Sequence, residues 1–176
     1  RSDSENLRVC RALITGPDGT PYDSGVYIFD ILFPTNYPDR TPSVKFMNHG
    51  GKRFNPNLYN CGKVCLSLLG TWSGKGGEVW NATTSTIYQV LNSIQSLIMI
   101  PDPYYNEPGY ESRRGTPQGD KLVKEYNDNI RLYTMDHAMS DMIERPGTFG
   151  GFNEAILNHF KFKQDYILKV CGMWVD

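Results

Sequence analysis

Cys65 closes the run Phe54-Asn55-Pro56-Asn57-Leu58-Tyr59-Asn60-Cys61-Gly62-Lys63-Val64-Cys65, with Asn57 eight positions before it. A thiol behind a turn-rich loop can take an acyl group as a thioester, while an amide on that loop steadies the charge developing on the carbonyl. A free thiol with a reference pKa of about 8.5 is only a few per cent thiolate at neutral pH, yet that suffices against another thioester. None of His49, His137 and His159 is spaced as a recognised partner of Cys65, which favours an acyl carrier over a papain-like dyad. The position after Gly62, in a Pro- and Asn-rich stretch, predicts an exposed ledge for Cys65; a buried structural cysteine is the alternative. Cys61 and Cys65 form a C-x-x-x-C, but no second ligand pair follows to complete a zinc site, so neither metal nor cofactor is expected.

Composition narrows the setting. The chain has 176 residues, enough for one domain with a sizeable core, and 18 Lys and Arg against 19 Asp and Glu give a formal net charge of −1. No strong pull toward nucleic acid or an anionic membrane follows. Four cysteines, Cys10, Cys61, Cys65 and Cys171, are too few and scattered for a stapled secreted scaffold, and no cationic, apolar leader is visible. A soluble protein of a reducing, cytoplasmic compartment is expected. The longest apolar stretch, Ile87 to Ile100, is broken by Gln89, Asn92, Ser93, Gln95 and Ser96 and cannot span a bilayer.

The elements that must position Cys65 begin with two runs rich in branched and aromatic residues, Val9 to Gly16 and Val26 to Phe33. The turn residues Gly16-Pro17-Asp18-Gly19-Thr20-Pro21 join them. Alternation along Tyr27 to Leu32 leaves both faces largely apolar, so a helix should cover at least one. Pro34, Pro38 and Pro42 exclude helix before a third strand at Val44 to Met47. The strongest helix is expected from a cap at Thr83 or Thr84, with Ile87, Val90, Leu91, Ile94, Leu97 and Ile98 forming one buried stripe, and Pro101 and Pro103 ending it. Trp72 and Trp80 flank a mobile-looking insertion, Ser73 to Glu78; Trp80 should pack in the core, and Trp72 either anchors the loop or contacts a partner. An irregular segment, Asp102 to Gly119, precedes helices predicted at Lys121 to Arg145, Phe152 to Phe160 and Asp165 to Val175. The order is α+β.

Gly16-Pro17, Pro21-Tyr22, Gly25, Tyr27, Phe33-Pro34, Tyr37-Pro38, Pro42 and Val44, followed by Asn57, Cys65 and Asp102-Pro103, are similar in order and spacing to the ubiquitin-conjugating enzymes. The likeness covers Val9 to Pro108. Asn106 to Pro117, with Asn129-Ile130-Arg131 and His159-Phe160, further resembles the very large members that combine conjugating and ligase roles and act in apoptosis regulation. The resemblance implies an antiparallel four-stranded meander packed on a central helix, with C-terminal helices. It makes residues 1–176 a single catalytic domain, with 1–110 as core and 111–176 as a helical extension. The extension's apolar positions are expected to bury against that core; a partner surface is the alternative. The family's basic N-terminal helix is expected to be missing from this chain.

By the same resemblance, Cys65 accepts ubiquitin from an activating enzyme and passes it to lysines of protein substrates, in concert with other domains of a longer parent chain. Asn57 then stabilises the oxyanion or holds the loop that does, and otherwise only completes a turn. Glu107 falls at the acidic gate that lowers or orients the acceptor amine, whose reference pKa is about 10.4, with Tyr104 beside the thiol; otherwise it is a carboxylate on a solvated loop. Three departures stand out: Asn55 where most members have His, Ser67 where Asp is frequent, and Asp39 where an apolar residue often docks ligases. The last puts docking of conventional ligases through that loop in doubt. A non-catalytic ubiquitin-binding module of the same fold is the competing reading.

Overall fold

The computed structural model describes residues 8–74 and 78–175. The question of an N-terminal helix falls on residues outside these, as does the middle of the insertion between Trp72 and Trp80. Three strands, β1 (Val9–Thr15), β2 (Val26–Leu32) and β3 (Ser43–Phe46), form an antiparallel meander in the order β1-β2-β3. Leu13 pairs with Ile28, Arg11 with Asp30, and Phe29 with Phe46. The turn between β1 and β2 closes through Gly16 N–H to Gly25 O at 2.9 Å, and the Asp23 carboxylate accepts from Gly19 N–H at 2.8 Å. The expected fourth strand is not a strand among the described residues. Isolated bridges, Lys45 to Lys63 and Leu58 to Val64, take its place, because Pro56 and the Asn-rich turn leave too short a run to sustain a ladder.

Both faces of β2 are covered. On the inner face Tyr27, Phe29, Phe46, Phe54 and Leu58 meet Val90, Ile94 and Ile98 of the central helix. On the outer face Val26 and Ile28 meet Met139, Met142, Ile156, Phe160 and Ile167. The C-terminal helices thus cover the part of the sheet that the central helix cannot reach. A strand carrying buried apolar side chains on both faces needs two such layers.

The central helix α1 (Ile87–Ser93) is capped by Thr86, not by Thr83 or Thr84. Gln89 lies three residues on and returns the cap's hydrogen bond, with Thr86 N–H donating to Gln89 Oε1 at 2.8 Å. The amides of Thr83 and Thr84 instead donate to Asn81 Oδ1, which ties them into a preceding turn. Over Ile94–Ile98 the helix widens to π geometry, with Met99 N–H reaching Ile94 O at 3.2 Å. That extra residue per turn rotates Leu97 out to 61% exposure and Met99 in to 1%, so Leu97 is not part of the buried stripe.

α2 (Pro117–Tyr133) starts four residues before the position expected from Lys121. Thr116 caps it and Pro117 occupies the first turn, where its missing N–H costs nothing. Gly119 is required there, since a Cβ would lie 2.1 Å from Arg113 O. The helix continues through Thr134–Ser140 in π geometry into α3 (Asp141–Glu144) and stops before Pro146, followed by α4 (Asn153–Phe162) and α5 (Gln164–Val175). No helix of the described residues is long and apolar enough to cross a membrane.

Candidate active site

The loop before Cys65 folds back as a narrow hairpin. Cys65 N–H donates to Asn57 O at 2.9 Å, and the Asn57 side-chain amide donates to Cys65 O, also at 2.9 Å. One step out, Tyr59 N–H donates to Lys63 O at 3.0 Å, and Gly62 turns the chain at φ 84°. A side chain at Gly62 would meet Phe46 O at 2.5 Å, so this turn seats against β3 only as glycine. The segment leaving Cys65 is clamped by Thr71, whose hydroxyl accepts from Leu66 N–H at 3.0 Å and donates to Val64 O at 2.7 Å. Cys65 therefore has a hydrogen-bonded partner strand on one side and a hydroxyl bridging its neighbours on the other.

These contacts overturn the exposed ledge. Cys65 is only 2% exposed, because Leu58, Val64 and Leu66 around it are drawn into the core and carry the hairpin down with them. The residues that follow it, Leu66 and Ser67, line a cavity of about 760 Å³ together with Trp72, Gln89, Asn92 and Leu97. Trp72 is partly exposed on its wall. Trp80 packs against the core, its indole N–H donating to Pro38 O at 2.8 Å.

Asn55 is fully buried. Its amide nitrogen donates to Tyr22 Oη at 2.9 Å and Ile98 O at 2.8 Å, and its Oδ1 accepts from Asn57 N–H at 2.8 Å and from Asn106 Nδ2 at 3.3 Å. This one side chain joins the loop, the central helix and the segment carrying Glu107. The Tyr22 phenol beneath it donates to Phe54 O, and burial pushes its pKa well up.

Glu107 reaches the loop through Arg53. The Arg53 guanidinium lies 3.2 Å from Glu107 Oε2, donates to Pro56 O at 2.8 Å and sits 4.5 Å above the Tyr59 ring. Tyr104 is buried in an aromatic cluster with Tyr105, Tyr110 and Tyr126, and its hydroxyl accepts from Arg113. Asp102 pairs with Arg114 at 3.8 Å. The histidines are engaged elsewhere: His49 Nδ1 accepts from Gly51 N–H, His137 contacts Asp141, and His159 contacts Ser24 O. Cys61 is exposed at the hairpin turn and, like Cys65, is a free thiol.

The geometry thus joins Cys65 and Asn57 directly and Glu107 through Arg53. Thr71 and Arg53 escaped the sequence reading. Thr71 follows the thiol at no diagnostic spacing, and Arg53 lies just before the run that drew attention.

A family model described as ubiquitin-conjugating enzyme matches residues 1–134. The chain belongs to the ubiquitin-conjugating enzyme family. It is 49% identical over 99% of its length to the human dual E2 ubiquitin-conjugating enzyme/E3 ubiquitin-protein ligase BIRC6, also known as Apollon or BRUCE, of which it spans 4%. It is 48% identical over its whole length to a probable ubiquitin-conjugating enzyme of Acanthamoeba polyphaga mimivirus, spanning 12% of that protein. The chain therefore corresponds to a small part of these relatives. A solved Toxoplasma gondii ubiquitin-conjugating enzyme E2 domain superposes with TM-score 0.56 and 28% identity, over 78% of this chain and 86% of that one. Residues 135–176, with α3, α4 and α5, lie beyond the family model but inside the sequence alignments to the large relatives.

Proposed function

We propose that this chain carries ubiquitin as a thioester on Cys65 and passes it to lysine amines of protein substrates, as the conjugating domain of a longer conjugating and ligase protein. The Cys65 thiolate attacks the thioester carbonyl presented by an activating enzyme, whose cysteine leaves as thiolate. A neutral lysine amine then attacks the new thioester, an amide bond forms, Cys65 leaves as thiolate, and the amine's proton passes to Glu107 or solvent. The observation that carries this reading is the Asn57–Cys65 rung. It places an amide donor against the backbone of the one buried thiol in the family's register, beside a cavity that an extended acyl tail can enter. In this reading Asn57 steadies the oxyanion, Glu107 receives the amine, and Asn55 and Thr71 hold the loop. Residues 1–176 act as one catalytic domain, in which 111–176 brace the outer face of the sheet.

Four thiols without a disulfide among the described residues suit a reducing cytoplasmic setting. Regulation of apoptosis belongs to the same reading through the kinship with large hybrid members. The test is loading: with activating enzyme, ATP and ubiquitin, the chain should form an adduct released by dithiothreitol, and Cys65→Ser should convert it to an ester that resists the thiol. Absence of any adduct, with Cys65 inert to iodoacetamide in the native state, would mark a non-catalytic module instead.

A further inference from the structure

β3, the hairpin arms and the adjoining Arg53 set four side chains, Lys45, Lys63, Tyr59 and Arg53, in a row. Lys45 bridges Lys63 across the sheet edge, and Lys63 pairs with Tyr59 across the hairpin. The Lys63 ammonium lies 5.7 Å from the Tyr59 ring centroid, and the Arg53 guanidinium lies 4.5 Å from the same ring. The Lys45 stem passes over Gly62, where a Cβ would stand 3.0 Å from Lys45 Cγ. The result is a stripe of three cations, Arg53 and Lys63 over the Tyr59 ring and Lys45 beyond Lys63, running from the sheet edge to Glu107.

Its charge is only partly compensated. Glu107 pairs with Arg53. Asp30, directly across from Lys45, has both carboxylate oxygens on Arg11. Among the described residues Lys121, Lys124 and Lys163 each have a carboxylate partner, whereas Lys45 and Lys63 have none. The field of Lys45 is felt at His49, whose pKa is held down by burial first and by Lys45 second. In a chain of net charge −1 this is a local concentration of cation, and it lies beside the thiol. The Tyr59–Lys63 rung is two residues out from the Asn57–Cys65 rung, or about 7 Å along the strands.

We propose that this stripe is an acceptor-docking surface that favours lysines flanked by carboxylates, that is, acidic protein segments. An extended acceptor whose lysine enters toward Cys65 carries its neighbours along the hairpin at the same spacing. A carboxylate one or two residues from the lysine then lies over Tyr59 and Lys63, and a further one reaches Lys45. Glu107 at the end of the row receives the cationic amine itself, so acceptor and surface have opposite charge patterns at each point. The proposal rests on the Cys65 thioester reading for its catalytic consequence, but not for the binding.

The experiment has two arms. Peptides with one central lysine flanked by Glu, Gln or Lys are titrated into the unloaded chain and followed by NMR shifts at the Tyr59 and Lys63 amides. They are also offered to the ubiquitin-loaded chain under single turnover. The Glu-flanked peptide should shift those amides and show a KM lower than the Gln-flanked one by about tenfold, as two exposed ion pairs acting together allow, with kcat little changed. The gap should close as salt rises from about 0.05 to 0.5 M. Lys45→Glu with Lys63→Glu should invert the preference toward the Lys-flanked peptide, an outcome that loss of folding cannot produce. Equal shifts and equal KM for all three peptides would overturn the proposal. Selective binding without loading would leave the stripe standing and count against the thioester reading alone.

Discussion

Replacing Asn57 with Ala separates two roles that the structure allows one side chain to hold. A primary amide has two N–H donors, and in the resting site one of them is on Cys65 O at 2.9 Å. The backbone rung, Cys65 N–H to Asn57 O, does not depend on the side chain and survives the substitution. If the amide only holds the loop, its loss is that of one part-buried hydrogen bond, about 0.5–1.5 kcal/mol. That lowers Tm by roughly 1–6 °C for a chain of this size. It also bounds any rate effect at about tenfold, since about 1.4 kcal/mol corresponds to a factor of ten. If the second N–H meets the oxyanion, discharge to an amine loses about a hundredfold to a thousandfold, or roughly 2.7–4 kcal/mol.

The proposed function predicts the larger loss, and predicts it for discharge only, because exchange between two thiols has a good leaving group and a lower barrier to begin with. The assay is single turnover: load with activating enzyme and ATP, quench, chase with free lysine, and follow the thioester on non-reducing gels beside a thermal melt. Asn57→Ala should load within about twofold of the parent and discharge at least about fiftyfold more slowly. A discharge loss below about tenfold, or equal losses in loading and discharge, would refute the oxyanion role and leave Asn57 as a loop fastener.

Asn55→Ala strips four hydrogen bonds from a fully buried site, leaving Asn57 N–H and one acceptor site on Tyr22 Oη unfilled, and should cost about 2–4 kcal/mol in denaturant unfolding. A loss under about 1 kcal/mol would mean that water replaces the amide. His49 gives a pH dependence: its pKa is held below 6.5, and its Nδ1 must stay unprotonated to accept from Gly51 N–H. A lowered pKa in the folded state favours the neutral imidazole, so this stabilisation is complete above pH 6.5 and is lost as pH falls through the depressed value. His49→Gln keeps an acceptor without titrating, so its thermal stability should fall less than the parent's between pH 7.5 and about 5. Parallel pH profiles would exclude His49 as the source.

What the sequence disclosed and what it withheld divide along a physical line. The meander was legible because Gly16 to Pro21 carries turn chemistry and the flanking runs carry β-branched and aromatic residues, both local signals. The thiol and its loop amide were legible by spacing. Four hydroxyl residues in succession, Thr83 to Thr86, hid the helix cap; only the reciprocal bond from Gln89 singles out Thr86. Leu97 fits the apolar stripe by period and leaves it because the helix widens at Ile94, which no period records. The burial of Cys65 depends on Leu58, Val64 and Leu66 seating in a core assembled from distant segments. The link from Glu107 to the loop depends on Arg53, distant in sequence and adjacent only in the fold.

The same division bears on what the outer face of the sheet is for. Along β2, Val26 and Ile28 disappear under Met139, Ile156 and Phe160, and Asp30 is held with Arg11 beneath Phe149. Leu32 emerges at 48% exposure. The footprint of the C-terminal helices therefore ends part-way across the sheet, and the strip they leave open is the β3 edge with Lys45 and Lys63. Cys65 lies between Val64, beside the Lys63 end of this strip, and Leu66, which lines the cavity; under the proposed function, donor and acceptor approach it from these two sides. Under the proposed acceptor docking, α4 and α5 set which part of the sheet an acceptor meets, by covering Val26 and Ile28 and leaving the β3 edge open.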